Sequence, residues 1–180
     1  MKKISILVIT TLLISACSSN TKISSPGFVP GCDQIKLLET ADKSTLMQCL
    51  DGVGSFNFHQ LKGPIVINVW GSWCEGCKEE MPYFVDLYKT NLFESGQIQL
   101  LGVNVEESSK EDAIQYIEQS GMSWPHLEDL DGISKSIFGP GVPVTWFINE
   151  EGENVGTKIG AYTNKDQLFE QVEKAFGIKL

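Results

Sequence analysis

The segment Ile65-Val66-Ile67-Asn68-Val69 is bounded by Gly63-Pro64 and Gly71, and Trp73-Cys74-Glu75-Gly76-Cys77 follows at once. A short apolar run between turn residues reads as a buried strand. Past the cysteines, Met81, Phe84, Val85, Tyr88 and Leu92 recur at helical spacing and predict an amphipathic helix, which Pro82 should kink. The cysteine pair therefore falls where a strand turns into a helix. Unpaired N–H groups and the helix dipole at that point stabilise a thiolate, which is the nucleophilic form of cysteine. Cys77, three residues after Cys74, shares its helix face, so the two sulfurs can close a disulfide. One cysteine can attack a substrate disulfide and the other can resolve the mixed disulfide.

The pattern continues with a strand over 98–105. Next comes a helix with Ser108 and Glu111 as a capping box, a buried stripe of Ala113, Ile114 and Ile117, and Gly121 as its stop. A strand over 144–148, the turn Asn149-Glu150-Glu151-Gly152 and a returning strand over 154–159 form a hairpin. Thr163 or Asn164 caps a last helix, whose core face is Leu168, Phe169, Val172, Ala175 and Phe176, and Gly177 ends it. Strands joined by helices should be parallel, and the hairpin adds an antiparallel edge. The fold class is α/β, a central mixed sheet flanked by helices.

Ahead of this domain, assigned to 31–180, Lys2 and Lys3 precede an eleven-residue apolar run at 4–14. That length suits a signal peptide and is too short for a membrane span. Ile14-Ser15-Ala16-Cys17 resembles the lipobox of bacterial lipoproteins, which implies cleavage after residue 16, lipid on Cys17 and a membrane-anchored location in the periplasm or at the cell surface. The alternative is a plain secretory signal. Residues 17–30, rich in Ser, Pro and Gly, read as a flexible tether.

With Cys17 set aside, Cys32, Cys49, Cys74 and Cys77 remain, an even number in an exported chain. Cys32 and Cys49 read as a structural disulfide pinning a short N-terminal extension, with a second redox pair as the alternative. A zinc site needs four ligands. Cys32 and Cys49 are not close-spaced, and His59 and His126 are isolated, so no metal is expected. Both histidines read as surface or packing residues. Covalent haem would require a histidine where Lys78 stands. The net charge of −9, with all fourteen basic residues lysine, argues against nucleic acid as a partner.

The stretch from Ile65 through Cys74 and Cys77 to Pro82 resembles the thioredoxin superfamily. Asn68, Trp70, Ser72 and Trp73 resemble its exported TlpA/ResA-like branch. Gly141-Val142-Pro143-Val144-Thr145 is similar to the segment bearing the fold's cis-proline. The resemblance implies a thioredoxin-like fold, with Pro143 cis and facing the cysteines and Val142 offering its backbone to an extended substrate. It implies a thiol–disulfide oxidoreductase needing no organic cofactor, in which Cys74 attacks and Cys77 resolves. Trp73 would shield the site and guide docking, and Trp70 would be core. Where many thioredoxins carry a buried aspartate, this chain has Asn68, which cannot ionise. The match of Val103-Asn104-Val105-Glu106-Glu107 to ResA-like proteins points to Glu107 as the proton carrier, with Glu106 next in line.

The implied substrates are disulfide- or thiol-bearing exported proteins, apocytochrome c among them, with a membrane thiol-electron donor if the protein reduces them. An oxidase introducing disulfides is the reverse reading. A copper carrier using both cysteines and a histidine is the competing class. A peroxidase is disfavoured, since the Pro and Thr that peroxiredoxins place before their nucleophile are absent.

Overall fold

The computed structural model describes residues 29–39 and 46–180. The leader at 1–16, Cys17 and nearly all of the tether lie outside the described residues. The strands are β1 (Leu46–Cys49), β2 (Ser55–Asn57), β3 (Ile65–Trp70), β4 (Gln99–Val105), β5 (His126–Asp129), β6 (Val144–Ile148) and β7 (Asn154–Ile159). The helices are α1 (Glu75–Tyr88), α2 (Asn91–Glu94), α3 (Lys110–Ser120), α4 (Ser134–Phe138) and α5 (Lys165–Phe176).

The strands form one mixed sheet, ordered β2-β1-β5-β4-β3-β6-β7. β3, β4 and β5 run parallel, and β6 is antiparallel to β3 and β7. This is the mixed sheet expected from the sequence, widened on one side. β5 adds a third parallel strand, and β1 and β2 of the extension pair antiparallel beyond it.

Three local expectations shift. Leu92 does not ride on α1, which stops at Tyr88; it belongs to α2 after the turn at Lys89 and Thr90. The cap of α3 is Ser109, whose hydroxyl accepts from the Asp112 N–H, and not Ser108. Asn164 rather than Thr163 caps α5. Gly121 and Gly177 end their helices at positive φ, where a Cβ would be strained.

β3 is buried at every position, so alternate residues feed two cores. Val66 and Trp70 join Met81, Phe84 and Leu87 of α1, Ala113 and Ile117 of α3, and Leu168 and Val172 of α5, together with Cys74 and Cys77. Ile65, Ile67 and Val69 face the opposite side, with Phe138 of α4, Phe58, Cys32 and Cys49. The cysteine pair and the extension thus belong to different faces of the sheet.

His126 is fully buried, a packing residue and not a surface one. Its ring stands edge-on to Trp70, and the Trp70 Nε1–H donates to its Nδ1 at 3.2 Å. Burial pushes its pKa down to about 3, so the imidazole is neutral. Gly102 on β4 makes room for this pair, because a Cβ there would lie 1.9 Å from His126 Nδ1 and 2.9 Å from Trp70 Nε1. Gly102→Ala is therefore expected to destabilise by about 1–3 kcal/mol, the usual cost of overpacking. Urea denaturation would measure it. An unchanged midpoint would mean that the core under Trp70 yields freely.

Candidate active site

Gly71 permits the turn out of β3. A Cβ there would lie 2.6 Å from the Trp73 indole nitrogen, which folds back to donate to the Val105 carbonyl at 3.2 Å. The Cys74 N–H then donates to the Gly71 carbonyl, and the Lys78 N–H closes the first helical bond onto the Cys74 carbonyl. Cys74 is the N-cap of α1, with its sulfur accepting from the Cys77 N–H at 3.1 Å. It is bonded to Cys77 as a disulfide with Cα atoms 5.3 Å apart. Cys74 retains 6% of its surface and Cys77 none, so an incoming group meets Cys74. Trp73 beside it is half exposed.

The Val142–Pro143 bond is cis. Pro143 faces the cysteine loop: a Cβ on Gly76 would stand 3.6 Å from Pro143 Cδ and 3.5 Å from the Ala161 methyl. Gly76, between the two cysteines, thus lets the loop lie close to the proline. Val142 is half-buried at the rim.

Glu107 does not approach the sulfurs through any hydrogen bond. Its carboxylate accepts from Ser72 N–H and Oγ–H, both at 2.6 Å, and from Asn104 Nδ2 at 2.7 Å. It is a brace for the loop between β3 and α1. Glu106, at φ 54°, is exposed and forms an ion pair with Lys135.

The acid that lies with the cysteines is Glu80, which the sequence reading missed. It stands one turn past Cys77 on the same face of α1 and is fully buried. Its Oε1 accepts from Asn68 Nδ2 at 3.0 Å and its Oε2 from the Tyr162 N–H at 2.9 Å. Burial raises its pKa to about 7, against the opposing pull of those two donors and of Lys158. The Asn68 Oδ1 has no hydrogen-bond partner. A flip of the amide would turn that oxygen to a protonated Glu80, so Asn68 can serve either charge state.

Cys32 and Cys49 are joined as a disulfide, buried beside the His126 carbonyl. Cys32 opens a single 3-10 turn and Cys49 ends β1, so neither caps an α-helix as Cys74 does. Among the described residues no cluster of three His, Cys, Asp or Glu side chains is arranged for a metal. The Trp70 Nε1–H donates to Nδ1 of His126, His59 is exposed on a 3-10 turn, and among the described residues neither histidine joins the cysteine pair in such a cluster. Among these residues no helix is long and apolar enough to cross a membrane.

Residues 39–153 match the AhpC/TSA family. Two curated relatives are thiol–disulfide oxidoreductases called ResA. The one from Bacillus subtilis (strain 168) is 35% identical over 105 residues, 57% of this chain and 57% of the relative. The one from Oceanobacillus iheyensis is 28% identical over 155 residues, 84% of this chain and 73% of the relative. The match thus spans little more than half the length of the first. A secreted disulfide oxidoreductase of Mycobacterium tuberculosis, homologous to E. coli DsbE, superposes with TM-score 0.62 at 20% identity, covering 74% of this chain and 99% of that one. That superposition bears out the thioredoxin-like fold.

Proposed function

Because the chain belongs to the AhpC/TSA family and has a thioredoxin-like fold, we propose that it is an extracytoplasmic thiol–disulfide oxidoreductase acting on protein substrates. The observation that carries this reading is the Cys74–Cys77 disulfide capping α1, with Cys74 keeping a small exposed edge, Cys77 fully covered and the buried Glu80 a turn behind it. The two ResA relatives are named for the same chemistry.

In the reducing direction, the Cys74 thiolate attacks one sulfur of a substrate disulfide. A Cys74–substrate disulfide forms and the other substrate sulfur leaves as a thiolate. Cys77 must next lose its proton in a site closed to water. A carboxylate of pKa about 7 accepts that proton near neutral pH. The Cys77 thiolate attacks Cys74 Sγ, the Cys74–Cys77 bond closes and the second substrate thiolate is released. Two electrons pass to the substrate, and the proton on Glu80 goes to a departing thiolate or to solvent. The oxidising direction is the same path reversed. Pro143 and Val142 present backbone to an extended substrate, Trp73 flanks the entry, and Glu107 keeps the loop in shape.

The cysteines carry the electrons, so no organic cofactor is needed. We assign Cys17 as the lipid anchor. Reduction of apocytochrome c ahead of haem attachment, with a membrane thiol donor restoring the dithiol, is the lead role, since an oxidising compartment does not reduce the pair unaided.

Cys77→Ser in the full chain is expected to accumulate a Cys74-linked mixed disulfide with a disulfide-bearing peptide, visible by mass under non-reducing conditions. Absence of that adduct, with Cys74 free and the protein folded, would sink the reading. The equilibrium potential of the wild-type pair in glutathione buffers gives the direction. A strongly reducing value supports the reductase and a strongly oxidising one the oxidase.

A further inference from the structure

Lys158, outside the cysteine motif and the proline segment, sits where three parts of the site meet. It is paired across the hairpin with Thr145, and Thr145 is paired with Asn68. Directly opposed residues on neighbouring strands point to one face of a sheet. Asn68, Thr145 and Lys158 therefore make a polar row, running from the bottom of the site to the edge strand. Its inner end is Asn68, which holds Glu80. Asn68 and Thr145 are buried, and Lys158 is half-buried at the outer end.

The Lys158 ammonium donates to the carbonyls of Ile159 at 3.0 Å and Gly160 at 3.1 Å, and lies 5.6 Å from the centre of the Tyr162 ring. It thus clamps the turn leaving β7. That turn touches three parts of the site. The Gly160 N–H donates to the Pro143 carbonyl at 2.9 Å. Ala161 packs against the backbone of Gly76. The Tyr162 N–H donates to Glu80. Gly160 takes φ 81°, so the turn is shaped for this closure.

The charges around Glu80 can be named element by element. α1 carries Cys77 beside it and Glu75 at its start. α3 presents the Tyr116 phenol and the turn presents Tyr162; burial pushes the pKa of both phenols up, with a further push from Glu75 and Glu80 on Tyr116 and from Glu80 on Tyr162. β3 and β6 offer the neutral Asn68 and Thr145. β7 brings Lys158, the cation that favours the Glu80 carboxylate.

We propose that Lys158 is a positioning residue of the exchange reaction, fixing the 160–162 turn and acting as the counter-charge of the buried Glu80. This rests on the thiol–disulfide reading of the same site. On that reading the proton of Cys77 passes to Glu80, whose charge state answers first to burial, next to the Tyr162 and Asn68 hydrogen bonds and then to Lys158, so the cation shifts the pH at which resolution runs. The Lys158 ammonium stands at the sheet edge, on the turn that holds Glu80 and not on the carboxylate itself, and leaves the cysteine mouth free for substrate.

The test compares the full chain with Lys158→Met, Lys158→Gln and Lys158→Arg, using two readouts. The first is the titration of Glu80 followed by carboxyl carbon resonances in the oxidised protein, assigned with Glu80→Gln. The second is the pH profile of exchange with a disulfide peptide. Met and Gln are expected to raise the Glu80 midpoint by roughly 0.5–1 unit, as loss of a nearby opposite charge does. The exchange profile should move upward with it, and Arg should restore both. A rate loss equal at all pH values, with the Glu80 midpoint unmoved in the folded Met and Gln variants, would overturn the proposal. If wild type fails to exchange with the peptide, the site reading falls and takes Lys158's part in a reaction with it, whatever the carboxyl titration shows.

Discussion

Glu80→Gln is expected to slow exchange at pH 7 by about 10²-fold or more, the usual worth of a positioned acid–base group. First attack by Cys74 should survive while resolution by Cys77 fails, so the mixed disulfide persists. The same substitution should make the protein more stable above neutral pH. Folded, Glu80 titrates near 7, against an ordinary value of 4.5. Between those values the folded state keeps a proton that the unfolded state has lost. The raised pKa therefore favours folding below 4.5 and costs stability as pH climbs through 7. At about 1.4 kcal/mol per unit the full cost is about 3 kcal/mol. Glutamine is uncharged and keeps both contacts, its carbonyl accepting from the Tyr162 N–H and its amide N–H donating to the flipped Asn68 Oδ1, so most of that cost is recovered.

His126 supplies the opposite slope. Its folded value near 3 lies below an ordinary 6.5, so stability is lost as pH falls from 6.5 toward 3. Between 4.5 and 6.5 the two groups offset one another in wild type, and the slope there should be close to flat. In Glu80→Gln the histidine acts alone, and stability should rise with pH across that window. Urea midpoints at pH 5, 6 and 8 for both proteins decide it. Equal profiles would show that Glu80 is not the titrating acid.

Removing the second disulfide by Cys32→Ala with Cys49→Ala is the other large expected effect, this time on stability alone. The bond closes a loop of sequence separation 17. The chain-entropy model gives about 3 kcal/mol for a loop of that length. Both residues are buried, so truncation adds a packing loss. The melting temperature should fall by roughly 6–12 °C for the loop term alone. Exchange at Cys74–Cys77 should be unchanged below the melt. Loss of exchange in the folded variant would instead make Cys32–Cys49 part of the electron path.

The sequence exposed what local pattern can carry. β3, the turn into α1, the cysteine spacing, the hairpin β6–β7 and the proline segment each have a period or a punctuating residue. β1 and β5 do not. Leu-Met-Gln-Cys and His-Leu-Glu-Asp are four residues each, and their place in the sheet comes from pairing over long sequence separations. His126 looked isolated because its partners, Trp70 and the space over Gly102, come from other strands. Glu80 was hidden by its neighbours. Lys78-Glu79-Glu80 looks like a solvated helix face, and Glu79 is indeed exposed. One cue was available: Asn68 in a buried strand needs a polar partner, and the face of Cys77 one turn on holds Glu80. Glu107 had the motif spacing but serves Ser72.

The two-sided core has a further consequence for wear. Cys74 and Cys77 belong to the helical face, and Cys32 and Cys49 to the other, with the sheet between them. Thiol exchange needs sulfur to meet sulfur. A sheet whose central strand is buried at every position is an insulator between the two pairs. The working bond can open and close through many cycles without scrambling into the permanent one, and cross-pairing is confined to chains whose sheet has not yet formed.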